Sequence, residues 1–217
     1  DKNLPEGGLA TAIVLQALEQ ANIAYQAPDF KPWARGIQET ESNFYDATFP
    51  YARTSEREQV LLYSEPFLAV TDTFFTHGNF AEKTLMPAHL RDKSVCRPLG
   101  YSQAALEGLN KVTSFNIESP NTLAQCFSML ELDRVDFVFI NELAGWYALD
   151  LAQGQYGSEI HSVPMPDRID EVELHMVMSR KNPRAEAVIE QFNSSLQEMK
   201  ASGRIKQIVN QYLQLMP

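Results

Sequence analysis

The first half of the chain alternates between helical and strand patterns of apolar residues. After Gly7-Gly8, the run LATAIVLQALEQA places apolar residues every three to four positions, which predicts a helix. The runs IAYQA and DATFPYA predict strands, and a short helix is predicted after Pro32. Alternation of this kind is typical of a mostly parallel sheet covered by helices. We therefore predict an α/β fold.

Two long strands are predicted to connect two lobes. The run EPFLAVTDTFFTHG is β-branched and aromatic and is too long to end inside one small sheet, so we predict that it leaves one lobe and enters another. The run VELHMVMS is the second such strand. Lobe 1 is then expected to contain residues 1–75 and 172–217, and lobe 2 residues 76–171.

The segment between the long strands repeats the alternation. Strands are predicted at SVCRPL, VTSFNI and VDFVFI. Helices are predicted after Gly100-Tyr101-Ser102, near Ser119 with Pro120 in the first turn, and over ELAGWYALDLA. Two helices close the chain, PRAEAVIEQFNSSLQEMKASG and RIKQIVNQYLQL, with Gly203 just after the end of the first.

Composition excludes several classes of protein. The 217 residues suffice to bury a hydrophobic core. The 28 acidic against 18 basic residues, a formal net charge of -10, argue against binding of nucleic acid or an anionic membrane, which needs clusters of Lys and Arg. No apolar run approaches the roughly 20 residues of a membrane span. The opening DKNLPEGG lacks the features of a cleavable leader, so we expect no signal peptide there.

The sequence contains no recognisable catalytic or metal-binding motif. Its histidines lack metal-site spacing, no serine stands in a G-x-S-x-G turn, and neither GxxxxGK[ST] nor GxGxxG occurs. We expect no metal, no cofactor and no enzyme activity, although a carboxylate acid/base site stays open as an alternative. Cys96 on a predicted strand and Cys126 in a predicted helix are expected to lie close together, either bridged or as two buried thiols.

The segment YARTSERE contains the main candidate for ligand chemistry, Arg57. An arginine offers a two-pronged donor for a carboxylate, and Thr54 is placed to cap the helical turn that presents it. Trp33 and Tyr51 stand where strand ends meet turns, the place where open α/β sheets bind ligands. The alternatives are a solvated Arg57 and ordinary core aromatics. Arg53 is expected on the surface.

The turn Gly100-Tyr101-Ser102 is the second candidate. Helix N-termini expose N–H groups and a partial positive charge, which can hold an anion. Most turns of this composition only begin a helix, so a plain helix start is the alternative.

Together these segments resemble the extracytoplasmic solute-binding proteins of ABC transporters, in the amino-acid-binding family 3 with the periplasmic-binding-protein type II fold. The resemblance implies two α/β lobes, joined by two hinge strands, that close on a small solute. In the amino-acid binders of this family the arginine of a T-x-x-R pattern grips the α-carboxylate, which implies that role for Arg57. The helix start that meets the same carboxylate falls on Gly100-Tyr101-Ser102. The resemblance extends over GGLATAIVLQALEQANI, PWARGIQETESNFYDATFPYARTSEREQVLLYSEPF, RPLGYSQ, RVDFVFINELAGWYAL and FNSSLQEMKASGRIKQIVNQYL.

The sequence departs from the family pattern in three places. Asn141, followed by Glu142, stands where the family usually has the acidic residue that receives an α-amino group. Pro50 and Ala52 replace a small residue and a hydroxyl, and the family's first strand and its aromatic loop lie before the Gly7-Gly8 helix, where this sequence begins. Because an ammonium group needs acceptors at fixed positions, a carboxylate-bearing solute is expected more than a conventional α-amino acid.

The resemblance therefore implies a periplasmic, monomeric binding protein. We expect it to capture a small carboxylate-containing solute, such as an amino acid or a relative, and to deliver it to an ABC permease in the inner membrane. Two alternatives stay open. One is an enzyme of the same fold, of the cyclohexadienyl dehydratase kind, with Glu142 as its general acid. The other is an orphan or sensory binding module.

Overall fold

In the computed structural model the chain forms two compact units, and the structure describes residues 4–152, 159–165 and 171–214. Unit 1 contains Asp1–Ala69 and Glu173–Pro217, and unit 2 contains Val70–Val172. The chain leaves unit 1 within strand β3 (Leu68–His77) and returns to it within strand β8 (Glu171–Ser179). Both long strands predicted from the sequence are thus present as single strands.

Unit 1 combines a small antiparallel sheet with helices. Strand β8 pairs with β1, where Tyr51 lies opposite His175, and with β2, where Tyr63 lies opposite Val177. The elements of this unit are a 3-10 turn (Pro5–Gly7), α1 (Leu9–Gln20), α2 (Trp33–Glu41), β1 (Ala47–Ala52), α3 (Ser55–Glu58), β2 (Leu61–Tyr63), α7 (Ala185–Ala201) and α8 (Arg204–Leu213).

Unit 2 contains a mixed sheet. Strand β4 pairs in parallel with β5 and β6, whereas β3 pairs antiparallel with β6 and β7. In the β3–β6 pair, Asp72 lies opposite Asn141. The other elements are a 3-10 turn (Pro87–Leu90), β4 (Ser94–Cys96), α4 (Ala104–Asn110), β5 (Asn116–Glu118), α5 (Leu123–Glu131), β6 (Phe137–Asn141), α6 (Glu142–Leu151) and β7 (Ile160–Val163).

The core of each unit follows from the apolar spacing. In unit 1, helix α7 turns Ala185, Ile189, Phe192, Leu196 and Met199 toward α1, since residues three and four apart share one helix face. In unit 2, buried side chains surround a disulfide between Cys96 and Cys126, whose Cα atoms are 5.6 Å apart. The predicted proximity of the two cysteines is confirmed, and the bridge is formed.

The predicted strand IAYQA is wrong. No backbone hydrogen bond joins residues 24–31 to any other part of the chain that the structure describes, and Tyr25 is 40% exposed. An extended segment becomes a strand only when a neighbour pairs with its N–H and C=O groups. The composition of this segment therefore predicted a strand, although no described strand pairs with the segment.

The backbone differs from the sequence-based prediction at the start of α5 and in the sheet of unit 1, and agrees with it at Gly203. Helix α5 does not begin near Ser119 with Pro120 in its first turn; Thr122 caps it, with its Oγ1 accepting from the Gln125 N–H at 3.2 Å and the Gln125 side chain accepting from the Thr122 N–H at 3.0 Å. The parallel sheet is confirmed for β5, β4 and β6, but the described pairs of unit 1 are antiparallel. Gly203 is confirmed after the end of α7, with a left-handed φ of 74°.

Candidate functional site

In unit 1, the turn after β1 positions Arg57. Thr54 has extended backbone, and its hydroxyl accepts a hydrogen bond from the Arg57 N–H at 3.3 Å, so the predicted cap is confirmed. The Arg57 side chain folds back, and its Nη1 donates to the carbonyl oxygen of Ala52 at 3.1 Å. These contacts hold the guanidinium beside the end of β1.

Two aromatic residues pack beside this arginine. The Trp33 and Tyr51 rings meet edge to face with their centres 5.2 Å apart, and the Arg57 guanidinium carbon lies 5.5 Å from the centre of the Tyr51 ring. The Tyr51 hydroxyl donates to the carbonyl oxygen of Trp33 at 2.7 Å. Tyr51 is only 4% exposed, so it supports Trp33 and Arg57 from within the unit and does not present its ring to solvent.

Burial strengthens the preference of this tyrosine for its neutral form. Loss of hydration raises the pKa of Tyr51 to about 12, and the nearby Arg57 charge opposes the rise only in part. The phenol is therefore neutral at physiological pH and serves as a hydrogen-bond donor. The ring beside Arg57 is therefore neutral.

Arg53 differs from Arg57 as the sequence predicted. Its side chain is 50% exposed, and it pairs with Glu58 through Nη1 and Oε1 at 2.9 Å. Its guanidinium carbon lies 4.9 Å from the centre of the Tyr63 ring. The surface position is confirmed, which makes Arg53 a matched control for Arg57.

In unit 2, the turn Gly100-Tyr101-Ser102 leads into α4. Gly100 has a left-handed φ of 90°, which favours glycine at this position. The Ser102 hydroxyl accepts from the Ala104 N–H at 3.4 Å, and α4 begins at Ala104. The helix start predicted after this turn is confirmed, and its N-cap residue is Gln103, which makes no side-chain cap hydrogen bond.

Asn141 has a structural role at the end of β6. Its Oδ1 accepts from the Ala144 N–H at 2.9 Å and so caps helix α6. Glu142 is exposed, and its Oε1 accepts from the Trp146 indole N–H at 3.5 Å. Asparagine is among the residues that cap helix N-termini best, and aspartate is its equal there, so the cap is compatible with either residue.

Arg97 contacts the Gly100-Tyr101-Ser102 turn and was not predicted from the sequence as a site residue. Arg97 is 4% exposed and pairs with Asp72, its Nη2 lying 2.9 Å from Oδ2. A signal existed, because each of the two charged residues interrupts an apolar strand pattern, in SVCRPL and in FLAVTDTFFTH. Buried charges are rare unless they are paired, so two such interruptions predict a pair.

The structure thus brings the predicted residues together in two sets, one in each unit. Trp33, Tyr51, Thr54 and Arg57 form the set of unit 1. In unit 2, Tyr101 and Ser102 both contact Arg97, and Asn141 lies opposite Asp72. Among residues 4–152, 159–165 and 171–214, no group of three or more His, Cys, Asp or Glu side chains is placed to hold a metal ion.

The chain belongs to the bacterial extracellular solute-binding proteins, family 3, whose family model matches residues 6–215. No match to the sequence was found among curated proteins. Within the part of the chain that the structure describes, no helix has the length and apolar character needed to cross a membrane.

Several solved structures share the fold. The arginine-, lysine-, histidine-binding protein ArtJ from Geobacillus stearothermophilus is 15% identical, with a TM-score of 0.77 over 99% of this chain and 90% of that one. The amino-acid ABC transporter substrate-binding protein AbpA from Streptococcus pneumoniae, bound to L-arginine, is 13% identical, with a TM-score of 0.77 over 97% and 87%. A histidine kinase sensor domain is 14% identical, with a TM-score of 0.76 over 95% and 86%. At these identities the likeness establishes the type II periplasmic-binding-protein fold.

Proposed function

We propose that this protein binds a small carboxylate-containing solute, an amino acid or a relative, and delivers it to an ABC permease. Capture is by hinge closure about β3 and β8, where the chain passes between the units. The site is in the periplasm, the protein acts as a monomer, and it binds without catalysing a reaction. Family membership and the amino-acid-binding proteins that share the fold support this proposal.

The observation that carries the proposal is the presentation of Arg57. A capped turn fixes the backbone of Arg57, and the Ala52 carbonyl and the Tyr51 ring hold its side chain. A guanidinium that is oriented in advance loses little rotamer entropy when it binds a carboxylate through two hydrogen bonds. In this proposal the carboxylate of the solute binds Arg57, and Trp33 and Tyr51 exclude water from the contact.

The proposal also gives residues of unit 2 a part in binding. The Gly100-Tyr101-Ser102 turn is proposed to bind a carboxylate, and Asn141 with Glu142 the rest of the solute. Asn141 offers an amide and no formal charge, so a solute without an ammonium group is compatible with this position. Discrimination between different carboxylate-containing solutes then depends on the rest of the solute molecule.

A thermal-shift screen tests the proposal. The protein is heated with amino acids, polyamines and small organic acids, each tested separately. A solute that binds only the folded state raises the melting temperature, and 100 Kd of free solute adds about 2.7 kcal/mol. We expect carboxylates to raise it and polyamines to leave it unchanged. A response to polyamines alone contradicts the carboxylate assignment.

Two alternatives are separated by further assays. Formation of product from arogenate or prephenate would establish the dehydratase alternative, with exposed Glu142 as its acid. The likeness to a histidine kinase sensor domain favours the sensory alternative. Uptake of the identified solute by cells with and without this protein distinguishes delivery from sensing, because only delivery makes uptake depend on it.

A further inference from the structure

Arg97 connects three elements of unit 2. Its Nη2 donates to Asp72 on β3 at 2.9 Å, its Nη1 to the carbonyl oxygen of Phe139 on β6 at 3.1 Å, and its Nε to the carbonyl oxygen of Ser102 at 2.6 Å. The guanidinium carbon also lies 4.7 Å from the centre of the Phe139 ring and 5.6 Å from that of Tyr101. One buried cation therefore contacts two strands and the turn before α4.

Stability alone gives no reason for such a cation. Transfer of two charges out of water is opposed by desolvation, and apolar residues of similar volume often replace a buried ion pair without loss of stability. A guanidinium does, however, direct its donors in a fixed plane, so three acceptors around it are held in fixed relative positions. Such a cation is suited to fixing the conformation of the positions that Arg97 contacts.

The contacted positions coincide with the proposed site residues of unit 2. The carbonyl of Ser102 belongs to the Gly100–Ser102 turn, and Phe139 precedes Asn141 by two residues on β6. Asp72 lies opposite Asn141 in the β3–β6 pair. The side chains of Arg97 and Asp72 are 4% and 8% exposed, so both are buried beside these positions.

We propose that Arg97 is a positioning residue for solute binding. It holds the Ser102 main chain and the end of β6 in the conformation that binds the solute, and Asp72 orients and neutralises it. This inference rests on the proposed function. Arg97 and Asp72 act through the turn and do not contact the solute. Their charges offset each other because the two side chains form an ion pair.

Two variants test this role, so the test does not depend on the folding of a single variant. Asp72→Leu/Arg97→Met replaces the pair by apolar side chains and leaves no buried charge unpaired. Arg97→Lys keeps the charge but not the planar arrangement of three donors. Arg134→Met, at an exposed arginine of the same unit, is the control. Each protein is studied by melting temperature, by amide hydrogen exchange of residues 99–104, and by calorimetry with L-arginine, L-glutamine and succinate.

We expect both variants to keep a cooperative melting transition while amide exchange at residues 100–102 rises about tenfold or more. The affinity for whichever probe the wild type binds should fall about tenfold or more. In Arg134→Met, the amide exchange and the affinity should both equal those of the wild type. Unchanged amide exchange in the variants overturns the proposal that Arg97 holds the turn in its conformation. Faster exchange with unchanged affinity overturns the link to binding. If the wild type binds none of the three probes, the proposed function fails for them, while the exchange data still decide whether Arg97 holds the turn.

Discussion

The Arg57 guanidinium carbon lies 5.5 Å from the centre of the Tyr51 ring, and the Tyr51 hydroxyl donates to the Trp33 carbonyl at 2.7 Å. The arginine therefore rests on a ring that is itself held by a hydrogen bond. Support of this kind keeps a charged side chain in place before a ligand arrives.

The hydrogen bond of Tyr51 is expected to contribute to stability. Tyr51→Phe removes the buried donor to the Trp33 carbonyl and should lower the free energy of unfolding by about 1 kcal/mol, measured by urea denaturation. Tyr147→Phe is the control, since its buried hydroxyl has no hydrogen-bond partner among the described residues. Equal losses in the two variants would show that the Tyr51 bond contributes nothing specific.

The disulfide should stabilise unit 2. Cys96 and Cys126 are 30 residues apart in sequence, and closing a loop of that length in the unfolded chain is worth about 3–4 kcal/mol. Reduction with a phosphine should therefore lower the urea midpoint markedly. A Cys96→Ala/Cys126→Ala variant should show the lower midpoint with or without the phosphine. No change on reduction of the wild type contradicts the bridge.

Gly145 in helix α6 is expected to tolerate no side chain. A Cβ there would overlap the ring of Phe75, which is fully buried. Gly145→Ala should lower the free energy of unfolding by about 1–3 kcal/mol through overpacking. At Gly108 in helix α4 a Cβ meets no atom within 4 Å, so Gly108→Ala should raise stability by about 0.5–1 kcal/mol. The same sign in both variants would contradict the packing account.

His175 makes stability depend on pH. It is buried, its Nδ1 lies 2.8 Å from the Ser64 carbonyl oxygen, and burial lowers the pKa of His175 below its ordinary value of 6.5. The unfolded chain then gains this proton at a higher pH than the folded chain. The free energy of unfolding should be unaffected by this group above about pH 6.5 and should fall as the pH drops below that value.

The variant His175→Asn isolates this contribution. Its amide keeps a donor for the Ser64 carbonyl but does not titrate. Urea denaturation between pH 8 and pH 5 should give a smaller decline for the variant than for the wild type. Identical slopes would assign the decline to groups other than His175.

Local patterns predicted most of the elements, because helices such as α1 and α7 show their buried faces in the spacing of apolar residues. They also predicted the Thr54 cap, whose partner is three residues away. Local patterns failed at two places where a residue or segment depends on a partner that is distant in the sequence. No segment among the described residues pairs with residues 24–31 as a strand requires, and Asp72, the partner of Arg97, lies 25 residues earlier, on β3.

The assignment of Arg57 as the carboxylate clamp is the central claim, and calorimetry on the solute identified by the thermal-shift screen tests it most directly. Arg57→Ala removes a charge-assisted contact worth about 1.5–3 kcal/mol, so affinity should fall by roughly one to two decades with little change in melting temperature. Arg53→Ala, four residues earlier and half exposed, should change affinity far less. Equal losses in the two variants, or unchanged affinity in Arg57→Ala, would contradict the claim.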